Sequence, residues 1–162
     1  MTSVTDKDAG TATEGRKEFL TMRVAGQMFG IPVLQVQDVL GEREVTRVPL
    51  APEEVAGAMN LRGRIVTVIN LHHKLHMTGK QDTDKKMYIV VEHQGELYSL
   101  IVDTVGEVLP LPDSDFEKTP TTIDALWRDL ALGVYRLKEQ LLVILDVPGM
   151  LESIRAQGDI AA

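Results

Sequence analysis

The chain repeats itself, and that repeat restricts its possible folds more than any other feature. Displaced by 69 positions, Phe19-Leu20 falls on Tyr88-Ile89, Gly26 on Gly95, Phe29 on Tyr98 and Val33 on Val102. The same displacement brings Val36, Asp38, Val39 and Leu40 onto Val105, Glu107, Val108 and Leu109. At 76 positions the rest of the unit registers: Gly57 on Gly133, Leu61 on Leu137, Arg62 on Lys138 and Asn70 on Asp146. Residues 65–71 then lie on 141–147, and Leu75 on Leu151. Turn, acidic and apolar positions match together and in order, which marks a duplication. The expectation is two similar small β-barrels of about 60 residues each, and a unit that small is marginal alone. The copies should therefore bury a joint apolar interface, with 36–40 and 105–109 near it.

Local pattern supports strands. Residues 19–25 and 28–31 are apolar runs joined by a Gly-containing turn read at Gly26-Gln27, a β-hairpin signal. Runs 65–71, 87–92, 97–102 and 141–147 are rich in Val, Ile and Leu and of strand length. Pro49, Pro52, Gly57, Gly63, Pro110, Pro112, Pro120 and Gly133 punctuate the chain between them. Many short strands with frequent turn signals predict an all-β barrel or sandwich. Helix is expected only as short turns near 33–37 and 71–76 and as a C-terminal piece over 148–156.

Composition narrows the chemistry. With no cysteine, thiol redox chemistry, cysteine nucleophiles, disulfides and iron–sulfur clusters are excluded. Seventeen basic against 24 acidic residues leave a net charge of −7, which repels phosphate backbones unless basic charge is gathered on one face. Basic residues do gather from Arg62 through Arg64, Lys74, Lys80 and Lys85 to Lys86, whereas 103–129 is acidic. Seven aromatics are too few for the stacking platforms of single-stranded nucleic-acid binders. No run approaches the length of a membrane span, and residues 1–16 lack the apolar stretch of a signal peptide. Residues 1–15 read as a disordered, dispensable lead-in, 156–162 as a short tail, and the protein as cytoplasmic.

Catalytic motifs do not assemble. His72-His73-Lys74-Leu75-His76 puts His72 and His76 four apart, the ligand spacing of a zincin, but the general-base Glu after the first His is replaced by His73. None of the four serines stands in a Gly-x-Ser-x-Gly elbow, and no phosphate-cradling glycine motif is present. Asp113, Asp115 and Glu117 lie among prolines in what reads as a solvated loop, and Thr121 reads as the cap of a helical turn over 123–130. No catalytic residue, metal ligand or cofactor is assigned, and a binding module is the expected class. Two alternatives stay open: a small metal-dependent hydrolase using His72 and His76, and an oligonucleotide-binding β-barrel using the basic 62–86 stretch.

Asn60-Leu61-Arg62-Gly63, followed by Arg64-Ile65-Val66-Thr67-Val68-Ile69-Asn70-Leu71, resembles the CheW family of chemotaxis coupling proteins. Glu18-Phe19-Leu20, Phe29-Gly30-Ile31-Pro32-Val33, Val36-Gln37-Asp38-Val39 and Gly57-Ala58-Met59 agree in order, as do Val102-Asp103, Val105-Gly106-Glu107-Val108 and the run from Leu141 to Asp146. The likeness covers residues 16–155; it is looser over 119–132, and His72 and His73 fall where the family varies. It implies two five-stranded SH3-like barrels and a non-catalytic adaptor. The implied partners are the histidine kinase CheA, through its CheW-like regulatory domain, and the cytoplasmic tip of chemoreceptors. Nucleic acid and direct membrane insertion are not expected, nor is a receiver-domain fusion. The protein is expected to be monomeric alone and recruited to membrane-associated receptor arrays. The receptor-binding set implied is Val36, Val39, Gly57, Arg62, Val105 and Val108; the kinase-binding set is Ile31, Val33 and Asp38.

Overall fold

A computed structural model describes residues 15–75, 86–118 and 129–155. Its strands are β1 (Arg16–Val24), β2 (Gln27–Pro32), β3 (Val36–Leu40), β4 (Val55–Leu61) and β5 (Arg64–Asn70) in the first repeat. The second repeat contributes β6 (Met87–His93), β7 (Glu96–Val102), β8 (Thr104–Pro112), β9 (Ala131–Arg136) and β10 (Leu141–Leu145). One turn of helix, α1 (Leu71–Lys74), follows β5, and α2 (Val147–Arg155) follows β10. Two five-stranded sheets result, ordered β8-β1-β2-β10-β9 and β3-β6-β7-β5-β4. The fold is thus mostly β with two five-stranded units, as expected.

The two sheets correspond pair by pair. Leu40 lies opposite Tyr88 as Leu109 lies opposite Phe19; Thr67 pairs with Tyr98 as Val143 pairs with Phe29. Even the register shifts correspond, with Val36 against Val91 and Val105 against Met22 on either side of them. Register fixes which face every side chain occupies, so this agreement requires the same fold twice.

The repeat units are nevertheless not the barrels. Each sheet takes its β1–β2-type hairpin from one repeat and its other three strands from the other repeat. The cause is the short crossover after the hairpin. Val33–Gln35, a single 3-10 turn, carries the chain from β2 in one sheet into β3 in the other, and Asp103 alone separates β7 from β8. Residues 33–37, expected as a helical turn, are therefore a 3-10 turn that gives way to strand at Val36.

Exchange of hairpins explains the core. One large apolar cluster draws on both sheets, with Leu20, Met22, Phe29 and Ile31 beside their counterparts Ile89, Val91, Tyr98 and Leu100. Two smaller clusters fill the individual barrels: Leu40, Met59, Val66, Val68 and Tyr88 in one, Phe19, Tyr135, Leu142 and Ile144 in the other. The joint interface expected from repeat size is thus the principal core. Val36 and Val105 pack against it, while Val39 and Val108 face outward. The first hairpin turns at Ala25-Gly26, one residue earlier than read; both have positive φ, as do their counterparts Gln94 and Gly95. The lead-in before Gly15, the tail 156–162 and residues 123–128 of the anticipated helical turn lie outside the described residues.

Candidate functional site

The Asn60-Leu61-Arg62-Gly63 block makes the β4–β5 turn. Leu61 is buried, the Asn60 side chain accepts from the Gly63 N–H at 3.1 Å, and Leu61 pairs with Arg64 across the hairpin. Arg62 and Gly63 have φ of 52° and 83°, as a type I′ turn needs at both central positions. That conformation suits Asn or Gly; for Arg it is strained. The Arg62 side chain is 75% exposed and donates to Asp38 Oδ2 on β3 at 3.0 Å. Asp38 Oδ1 in turn accepts the Val39 N–H at 2.8 Å. The Arg62 bond, then the Val39 N–H, holds the Asp38 carboxyl below its usual range. Residues 24 positions apart are thus joined into one exposed cluster of Asp38, Val39 and Arg62 on sheet β3-β6-β7-β5-β4.

The other anticipated residues fall in different places. Val36 and Val105 sit half-buried against the joint core, one from an edge strand of each sheet, and Val108 lies further along β8 with 43% of its surface exposed. Val33 stands with Pro32 and Leu34 beside a cleft of about 1190 Å³ that also reaches Phe116, Leu132 and Tyr135. Two expected contact residues are corrected. Ile31 is fully buried in the joint core, on the same strand face as Phe29, and offers no surface to a kinase. Gly57 is buried where the barrel closes, beneath the Thr46 carbonyl, so it serves closure rather than contact.

Neither Leu34 nor the buried acid Asp103, which enters only within the Val102-Asp103 block, is assigned a role from sequence. Leu34 is 94% exposed in the 3-10 turn between β2 and β3; its signal was a large apolar residue directly after Pro32-Val33. Asp103 is a lone acid inside an apolar run, and its partners come from three distant parts of the chain. Its Oδ2 accepts the Ala25 N–H at 2.8 Å, and its Oδ1 faces His72 Nε2 at 3.0 Å and Lys86 Nζ at 3.4 Å. Burial pushes the Asp103 carboxyl up, but the Ala25 N–H and the hydrogen bond and charge of His72, with Lys86 behind them, leave it below its ordinary value. A depressed folded-state pKa contributes stability above the unfolded value near 3.8 that is lost as pH falls through the folded one. Asp103→Asn is accordingly expected to flatten the acid limb of a stability–pH profile below about pH 4, measured by urea melts at stepped pH.

The three described histidines do not converge on a metal centre. His72 turns to Asp103, His73 to Glu53 at 2.9 Å and His93 to Glu152 at 2.6 Å, three separate pairs. Among the described residues no group of three His, Asp or Glu converges; His76 lies outside them. The described members of the basic stretch do not form a continuous face either; Lys80 and Lys85 lie outside the described residues. Arg62 bonds Asp38, Arg64 the Gly95 carbonyl, and Lys86 Asp103, while Lys74 is buried against Ser153. Among the described residues, neither the hydrolase nor the oligonucleotide reading finds an assembled site. Among the described residues no helix is long and apolar enough to cross a membrane.

Comparison with known proteins agrees with the fold. The family model for the CheW-like domain matches residues 18–155. A chemotaxis protein CheW of Klebsiella aerogenes is 30% identical over 137 residues, 85% of this chain and 82% of that one. The CheW of Rhizobium meliloti is 27% identical over 141 residues, covering 87% and 91%. The crystal structure of the scaffolding protein TtCheW from Thermoanaerobacter tengcongensis superposes with a TM-score of 0.75 at 28% identity, covering 83% of this chain and 86% of that one. With 18–155 matched and both barrels in place, this chain belongs to the CheW family, the non-catalytic adaptors of chemotaxis.

Proposed function

We propose that this chain couples chemoreceptor tips to the histidine kinase CheA, placing the kinase under receptor control at membrane-associated arrays. The observation that carries the reading is Arg62: an exposed guanidinium held out on a strained turn, aligned by Asp38 and serving no buried purpose. Ala25 and Gln94 take the same positive φ in their own hairpin turns, so it is the exposed, Asp38-aligned guanidinium and not the backbone that marks Arg62. Val36 and Val105, half-buried beside the joint core, with Val39 and Val108 exposed further along the same two edge strands, supply apolar surface suited to a helical receptor tip. In this reading Val36, Val39, Arg62, Val105 and Val108 serve the receptor, and Val33 and Asp38 serve the kinase. Gly57 and Ile31 support these surfaces from within.

Reconstitution tests the reading. Purified chain, CheA and receptor signalling tips displayed on vesicles are combined, and phosphate incorporation into CheA is followed. Kinase activity should respond to the receptor only when all three are present, and the chain should sediment with the vesicles. A chain that sediments with neither partner overturns the reading.

A further inference from the structure

The two crossovers between the barrels are equivalent by the repeat, yet they are built differently. A displacement of 69 places Asp103 on Leu34. Leu34 points outward at 94% exposure, whereas Asp103 is 1% exposed and is the only carboxylate so buried among the described residues. Each oxygen of Asp103 addresses a different barrel. Oδ2 takes the N–H of Ala25, in the β1–β2 turn of one sheet; Oδ1 faces His72 on α1, after β5, and Lys86, just before β6, both belonging to the other. The Asp103 backbone N–H also reaches the Arg23 carbonyl at 3.0 Å. His72 and Lys86 are themselves 11% and 20% exposed at the side chain, so the cluster is largely removed from water. Desolvation offsets much of the attraction of a buried charge, and in some proteins such groups serve conformational specificity rather than stability.

We propose that Asp103 is a positioning residue of the adaptor: by tying the β1–β2 turn of one barrel to α1 and the start of β6 of the other, it sets the angle between the barrels. This rests on the coupling function proposed above. β8 starts at Thr104, immediately after the pin, so Asp103 also fixes where Val105 and Val108 stand relative to Val36 and Val39 on the opposite sheet. A partner that contacts both edge strands needs that angle. The Leu34 crossover carries no such carboxylate, so the joint is pinned on one side only.

Double electron–electron resonance tests the pin without any partner. The chain has no cysteine, so Cys introduced at Ile65 on β5 and Leu132 on β9, both exposed and on different sheets, gives a single labelled pair. Asp103→Asn and the double variant His72→Gln, Lys86→Gln are compared with the parent; the second leaves Asp103 and its Ala25 bond in place should the first fail to fold. Expected are an unchanged far-ultraviolet spectrum, a broadened distance distribution and a roughly tenfold loss of affinity for receptor tips. His72→Arg in place of His72→Gln, which supplies a fixed charge and a donor, should restore the narrow distribution. Folded variants with the parent's distribution overturn the pin, and a broadened distribution with undiminished affinity overturns its role in positioning the partner-binding strands. A parent that binds no receptor tip overturns the coupling reading instead, and the distance data still decide the pin.

Discussion

Gly57→Ala and Gly133→Ala should each destabilise the protein by about 3 kcal/mol or more, because the added methyl group would meet backbone that cannot move aside. Both glycines stand where a barrel is closed by an isolated bridge, Thr46 to Ala58 in one and Glu117 to Val134 in the other. A Cβ at Gly57 would lie 2.2 Å from the Thr46 carbonyl oxygen, on a backbone whose φ of +155° already disfavours a side chain. At Gly133 it would lie 2.4 Å from the Glu117 carbonyl and 2.3 Å from the Phe116 ring. Backbone atoms engaged in the closing bridge cannot yield without breaking it. Gly106→Ala should cost less, because its neighbour at 2.6 Å is the Thr21 hydroxyl, although turning that hydroxyl sacrifices its 2.8 Å bond to the Glu107 carbonyl. Gly41→Ala meets nothing within 4 Å and should be neutral or stabilising by about 0.5 kcal/mol through the unfolded state. Denaturant midpoints at constant slope rank the four. Equal losses at Gly41 and Gly57 would show that closure is not what the glycines protect.

Gly57 and Gly133 also show what the sequence could and could not tell. Their match at a displacement of 76 was visible, and a glycine retained in both copies points to the shared fold rather than to one copy's partner. The resemblance drew Gly57 into the receptor set all the same. Ile31 is a similar case: it stands two residues after Phe29, so alternation already put both on one face, and that face is the joint core. The exchange of hairpins was not legible. Alternation tells a residue to face a core, and because the two copies carry the same pattern, exchanged and unexchanged pairings satisfy it equally well. The choice is made by crossovers of three residues and of one, which are too short to return the chain to the sheet it has left. Asp103 was hidden for a different reason, since its partners at 25, 72 and 86 are brought together only by that exchange. The Asp38 to Arg62 pair fell between these cases: each residue was noted, Arg62 within the Asn60-Leu61-Arg62-Gly63 block, but their bond joins segments that only the fold makes neighbours.

Arg62→Asn should weaken receptor-dependent CheA stimulation by about tenfold or more while leaving the fold as stable as the parent, or more so. The two effects separate because they have separate causes. Asn is favoured where a type I′ turn needs positive φ, and relief of the strain on Arg62 is worth about 1 kcal/mol. Against that stands the loss of an ion pair to Asp38 with side chains 75% and 29% exposed, for which about 0.2–1 kcal/mol is typical. Stability therefore holds or rises. A charge-assisted hydrogen bond from the guanidinium to a receptor carboxylate or carbonyl is worth about 1.5–3 kcal/mol when partly desolvated, and its loss lowers coupling. Arg62→Lys should restore coupling only in part, since it keeps the charge but not the planar fork that now reaches Asp38. Asp38→Asn should fall between parent and Arg62→Asn, because it frees the guanidinium without removing it. Receptor-stimulated phosphorylation and a thermal melt on the same preparations give both quantities. Full coupling by a folded Arg62→Asn protein would remove Arg62 from the interface. A lowered melting temperature with a parallel loss of coupling would make Arg62 a structural residue.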